Sequence, residues 1–194
     1  MIGHIFRLNK HWGNCLTTCL LLLAFSGSTL ADQEEENKKE YSVKAAFIYN
    51  FSKFIDWPEL ASQKSNEFNI CIIGSNPFEK ETLSKLSTKK TKAKNVKFLN
   101  ISPYEKLPPC YIVFINTPEN TVRQGIIRAS KKHNVLTVSD QENFTSNGGA
   151  IELFTSNRKV RFKINLAATK RAGLEVSSKL LNLAIKVENR EAQQ

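Results

Sequence analysis

The sequence has few of the residues from which catalytic sites are built. It contains three histidines in 194 residues, and His4 and His11 both lie in its N-terminal segment. His133 is left on its own beside two lysines, where a cation at a helix end is more typical than a catalyst. No G-x-S-x-G nucleophile elbow and no Walker A sequence occur. The sequence therefore predicts no catalytic residue, no cofactor and no enzyme activity.

Long apolar runs are also missing, apart from one near the N-terminus. Leu16–Phe25 covers about ten residues, too few to span a hydrocarbon core of ~30 Å. Arg7 and Lys10 precede this run and small residues follow it, in the order of a cleavable secretory signal peptide. We expect residues 1–31 to be that signal, with an uncleaved N-terminal anchor as the alternative. The mature protein then works outside the cytoplasm.

The chain beyond the signal is long enough for one domain with a sizeable core. Residues 32–40 are polar and rich in acidic side chains, which predicts a flexible lead-in. We expect a single α/β domain over residues 41–188 and a polar tail over residues 189–194.

Cysteine is scarce as well, and the signal removes half of it. Cys15 and Cys19 lie within residues 1–31, so Cys71 and Cys110 are the two that remain. Two cysteines in an oxidising compartment are expected to pair in a disulfide; two buried thiols that never meet are the alternative. One histidine and a paired Cys71 and Cys110 cannot form a zinc site, so no metal is predicted.

Basic residues exceed acidic ones, by 28 to 18 in the whole chain. Inside a cell this charge would suggest nucleic acid as a partner. Outside the cytoplasm we expect no nucleic acid, and an anionic membrane surface, an envelope polymer or an acidic protein is the better partner. Arg158, Lys159, Arg161 and Lys163 form the best candidate patch for binding a partner or an anion. The alternative is that these side chains only guard an exposed strand against aggregation.

Strands and helices alternate in the first two thirds of the domain. Phe68–Ile73 and Cys110–Ile115 are almost wholly apolar, which is typical of parallel strands buried on both faces. A helix over Tyr41–Trp57 comes before them, and helices starting near Pro77 and Pro118 follow them. The pattern predicts an α/β fold with a central, mainly parallel sheet flanked by helices.

The C-terminal third follows a different pattern. Ala150–Phe154 and Val160–Ile164 alternate in polarity and are predicted to form an antiparallel hairpin. Apolar residues at helical spacing then predict a final packed helix over Leu174–Val187. Val43, Phe47, Phe51, Phe54 and Trp57 are spaced in the same way along the first helix.

Taken in order, these segments resemble the YfiR/HmsC-like family of periplasmic regulatory proteins. The resemblance covers Tyr41–Val187. It is carried by Asn50–Pro58, Phe68–Gly74, Pro109–Ile115, Val135–Asp140, Gly148–Gly149, Arg161–Asn165 and Leu180–Ala184.

The resemblance implies regulation of cyclic di-GMP signalling and biofilm formation. The expected partner is the periplasmic domain of an inner-membrane signalling protein, a GGDEF diguanylate cyclase that this chain would repress. An outer-membrane lipoprotein that sequesters the chain and a homodimer are further expectations. The resemblance implies that Cys71 and Cys110 correspond to one of the two disulfides of the family's founding member, whereas Thr145–Glu152, the region equivalent to the second, contains no cysteine. Lys163 and Thr169 stand at partner-facing positions but differ in character, so partner identity is not transferred.

Two other functions compete with this hypothesis. The first is a module that binds a small ligand or an envelope polymer through the basic hairpin. The second is a hydrolase whose site the sequence does not reveal.

Overall fold

The computed structural model describes residues 26–58, 65–103, 109–130 and 133–189. Most of the predicted signal peptide and nearly all of the predicted tail lie outside these ranges. The chain divides into two units, residues 1–39 and 40–194. Within the described ranges, every helix is too short or too polar to cross a membrane.

The described residues form five helices and ten strands, several of them only two or three residues long. They are α1 (Ser26–Phe54), β1 (Ile55–Asp56), β2 (Glu67–Gly74), α2 (Lys80–Ser87), β3 (Lys90–Thr91), β4 (Lys94–Ile101), β5 (Ile112–Asn116), α3 (Asn120–Ser130), β6 (Leu136–Ser139), β7 (Ile151–Ser156), β8 (Lys159–Asn165), α4 (Leu166–Arg171), β9 (Glu175–Val176), α5 (Ser178–Leu183) and β10 (Lys186–Glu188).

Eight strands form one sheet in the order β10-β8-β7-β6-β5-β2-β4-β3. The neighbours from β4 to β7 are parallel, and so are β8 and β10. β7 pairs with β8, and β3 with β4, in the antiparallel sense. This architecture confirms the predicted fold class.

Side chains from alternate positions of the central strands enter two apolar cores on opposite faces of the sheet. Ile112 and Phe114 of β5 lie in the larger core, together with aromatic residues of α1. Val113 and Ile115 lie in the smaller core, which also contains both cysteines. Coverage of both faces explains why β5 is apolar throughout.

Helix α1 begins earlier and ends earlier than predicted, and its predicted apolar stripe is confirmed except at Val43. Residues 32–40, expected to be a flexible lead-in, are helical in the structure, and i,i+4 Glu–Lys ion pairs support that helix. The helix ends at Phe54 because Ile55 and Asp56 pair with β9. Val43, predicted to face the core, is exposed, whereas Ile48 is buried.

The predicted final helix over Leu174–Val187 is wrong in its extent. Glu175 and Val176 form β9, and only Ser178–Leu183 are helical, with the Ser177 side chain accepting a hydrogen bond from the Leu180 backbone N–H. The residues after α5 turn into β10, which pairs with β8. Pairing with strands distant in the sequence therefore overrides an apolar spacing that suits a helix.

Candidate functional site

The candidate site is the β7–β8 hairpin and the strand β10 beside it. The hairpin turn contains two residues, Asn157 and Arg158, with φ values of 51° and 58°. Positive φ at both positions is the type I′ geometry that matches the twist of paired strands. The turn sets the register, which places Lys159 opposite Ser156 and Lys163 opposite Glu152.

The structure divides the four predicted basic residues into two groups. Lys163 is held by an ion pair with Glu152, whose Oε1 lies 2.7 Å from the lysine Nζ, and by the Phe154 ring, whose centroid is 5.2 Å away. Arg158 and Lys159 are exposed at the tip.

Arg161 is half-buried beside that tip, opposite Phe154. In the part of the chain that the structure describes, Arg158, Lys159 and Arg161 have no carboxylate within ion-pair distance. Three cations are thus free to meet an anionic group, whereas Lys163 already has one. Binding by this patch stays a prediction.

A buried polar network anchors the base of the hairpin. Glu152 is 2% exposed, and its Oε2 accepts hydrogen bonds from the backbone N–H and the hydroxyl of Thr145, each at 3.2 Å. Asn165 donates to the Thr145 carbonyl at 2.9 Å and caps α4 by accepting from the Ala168 N–H. A buried carboxylate needs such partners, so the network fixes the loop before β7 against the hairpin.

Sequence reasoning missed a second buried ionic cluster, which joins α1 to the end of β6. The Lys44 Nζ lies 2.7 Å from Asp140 and 2.6 Å from Glu40, and the Tyr41 hydroxyl donates to Asp140 at 3.0 Å. Burial lowers the pKa of Lys44, but its hydrogen bonds to the two carboxylates outweigh burial and raise that pKa above its ordinary value. Burial and the Asp140 charge raise the pKa of Tyr41 as well.

The position of Lys44 could not be read from the helical pattern, which places it away from the apolar stripe. Its partner Asp140 lies 96 residues away in the sequence. The cluster packs a helix against a strand end and therefore has a structural role.

A disulfide joins Cys71 in β2 to Cys110 just before β5, with the two Cα atoms 6.0 Å apart. This is the pairing that the sequence and the family resemblance predict. Both residues are buried in the smaller core. The bond ties two neighbouring parallel strands together on the face opposite α1.

The loop after β2 is filled by contacts of the chain with itself. Gly74 has φ +89°, and a Cβ there would lie 2.2 Å from the Asn116 carbonyl oxygen. The Ser75 N–H donates to that oxygen at 3.1 Å, and the Asn116 side chain donates to the Ser75 carbonyl at 2.8 Å. Glycine is required for this close approach of two strand ends.

The described residues contain no cluster suited to metal binding. Across residues 26–58, 65–103, 109–130 and 133–189, no three histidine, cysteine or carboxylate side chains come together. His133 is exposed just after α3.

Comparison with known families identifies the domain. The family model described as YfiR/HmsC-like matches residues 41–185, so the chain belongs to this family. The family consists of periplasmic regulators of cyclic di-GMP signalling and is regulatory rather than catalytic. No curated protein matches the chain.

Proposed function

We propose that this YfiR/HmsC-like protein is secreted to the periplasm and there represses a membrane-bound diguanylate cyclase. It binds the periplasmic domain of the cyclase and thereby limits cyclic di-GMP and biofilm formation. The observation that carries the proposal is the family match over residues 41–185, which spans every strand of the sheet except β10. An outer-membrane lipoprotein that sequesters the protein and a homodimer belong to the same proposal.

The shape and charge of the C-terminal hairpin agree with binding to another protein. Its register is fixed by the turn at Asn157 and by the buried network at Glu152. The fixed register keeps the backbone of the free cations Arg158, Lys159 and Arg161 together on one hairpin, and this local positive charge favours recognition of an acidic protein surface. No step of this function requires a catalytic group.

Deletion of the gene tests the proposal. Cyclic di-GMP should rise several-fold in the deletion strain and return to its original concentration when the full chain is supplied. A matched control supplies the chain without residues 1–31, which should stay in the cytoplasm and fail to restore the concentration. An unchanged concentration after deletion would contradict repression of a cyclase.

The free cations also favour a second candidate function, in which the hairpin retains a small anion or an envelope polymer. The double variant Arg158→Glu/Arg161→Glu should then lose retention on the anionic ligand while unfolding at the same denaturant concentration. Retention that survives this charge reversal would exclude the hairpin as the ligand site.

A further inference from the structure

The strand β10 forms one edge of the eight-stranded sheet, and among the described residues no strand pairs with its outer side. The Asn165 N–H donates to Ala150 on the β7 side, so the backbone groups of the preceding Ile164 point the other way, toward β10. In a parallel pair, a residue whose N–H and C=O point toward the other strand forms its hydrogen bonds with the residues before and after its partner, and not with the partner itself. Since Val187 is the partner of Ile164, the N–H and C=O of Val187 point away from the sheet.

The residues around this open edge are unusually apolar for a surface. Leu183, Ile185 and Val187 are 63%, 54% and 43% exposed. In the described ranges, only Val43 is a further large apolar residue with this degree of exposure. Three such residues within one short segment indicate an interaction site rather than scattered surface residues.

The two faces of β10 differ in chemistry. Val187 lies on the same face as its partner Ile164, next to the larger core. Lys186 lies on the opposite face next to Lys163, and Glu188 on that same face pairs with Lys186 at 2.7 Å. That opposite face continues across β8 to Arg161, which has no carboxylate partner among the described residues. Within the described ranges, this face therefore has three cations and two carboxylates, and Arg161 is the cation left without a partner. A strand that fits both faces is apolar on one side and brings a carboxylate for Arg161 on the other.

The other edge of the sheet shows how the same fold protects a strand that takes no partner. There, β3 exposes Lys90 and buries Thr91, whose hydroxyl accepts a hydrogen bond from Ser52. Exposed lysine on a very short edge strand is a common protection against strand addition. Lys186 supplies some of this protection on β10, but the exposed apolar residues beside it do not.

We propose that β10 binds one extended, acidic strand of a partner protein, which adds to the sheet through the backbone of Val187. The apolar side chains of that strand cover Ile185 and Val187, and a carboxylate of the strand faces Arg161. Strand addition of this kind draws affinity from backbone hydrogen bonds and specificity from alternate side chains. The inference deepens the proposed function, because it assigns the surface that contacts the membrane signalling protein.

Labelled short peptides test the surface on the whole chain. The probes are a peptide of alternating aspartate and valine, its lysine counterpart, and the aspartate peptide with an N-methyl group on every residue. We expect saturable, salt-sensitive binding of the aspartate peptide, measured by fluorescence anisotropy, and slower hydrogen exchange at the Val187 amide. Equal binding of the lysine peptide or of the N-methylated peptide would overturn the proposal.

A pair of variants separates the backbone from the side chain. Val187→Pro removes the outward N–H, and proline is tolerated on an edge strand where that group faces solvent. It should weaken aspartate-peptide binding at least about tenfold, whereas Val187→Ala keeps the N–H and should weaken it less. Equal affinities for Val187→Pro and the unchanged chain would overturn strand addition. The proposal would also be overturned if sedimentation showed a dimer that Val187→Pro abolishes, because the strand bound to β10 would then belong to a second copy of this chain.

The peptide measurements fail independently of the proposed function. If the peptides do not distinguish Val187→Pro from the unchanged chain while gene deletion raises cyclic di-GMP, the surface is wrong and the function stands. If deletion leaves cyclic di-GMP unchanged while the aspartate peptide binds as expected, the function is wrong and the surface stands.

Discussion

Strands β5 and β10 belong to the same sheet but are enclosed to very different degrees. Ile112, Val113, Phe114 and Ile115 of β5 are almost completely buried, whereas Val187 of β10 is 43% exposed. Apolar area on β5 is removed from water when the chain folds, and therefore stabilises it. The apolar side chain of Val187 stays partly exposed after folding and therefore contributes less to stability. The comparison separates residues that hold the fold from residues that can recognise a partner.

The largest expected effect comes from opening the buried half of the sheet. Phe114→Ala removes a fully buried ring from the larger core and should lower the free energy of unfolding by about 3–5 kcal/mol. Val187→Ala should change it by less than about 0.5 kcal/mol, because the side chain is exposed. Denaturant unfolding measures both. Similar costs at the two positions would remove the distinction between β5 and β10.

The disulfide should give the next largest effect. It links residues 39 apart in sequence, and in the chain-entropy model a loop of this size contributes about 3–4 kcal/mol. The double variant Cys71→Ala/Cys110→Ala should lose about that much, and the unchanged chain should lose the same in a strong reductant. Free-thiol labelling of the exported protein should find no reactive thiol; two reactive thiols would contradict the bond.

A smaller effect is expected at the base of the hairpin. Glu152→Gln breaks the buried ion pair to Lys163, and we expect a loss of about 1–3 kcal/mol, near the lower figure because Lys163 is partly exposed. The matched control is Glu81→Gln, which breaks an exposed i,i+4 pair to Lys85 and should leave the free energy of unfolding almost unchanged. Equal costs for the two substitutions would show that the network does not anchor the hairpin.

The same comparison explains how much of the fold could be predicted from the sequence. Strands β2 and β5 are nearly continuous apolar runs, so their positions were predicted to within about two residues. The hairpin was predicted from its alternation and closes with a tighter turn than expected. In these segments the local pattern and the tertiary environment favour the same structure.

The C-terminal segment shows where prediction from one sequence fails. The spacing of Val176, Leu180, Leu183 and Val187 suits a helix, but Val176 pairs with Ile55 and Val187 with Ile164. Neither partner can be identified from local spacing. The candidate site was therefore only half predicted: the basic hairpin came from the sequence, while the exposed edge beside it came from the structure.

The most direct test of the difference between the buried strand β5 and the exposed strand β10 is the cyclic di-GMP concentration of a strain in which the only copy of this gene carries Val187→Pro. The account predicts that the protein is present at normal abundance with unchanged unfolding, and that cyclic di-GMP rises toward the concentration of the deletion strain. Cyclic di-GMP at the original concentration, with the variant protein abundant and folded, would contradict the account.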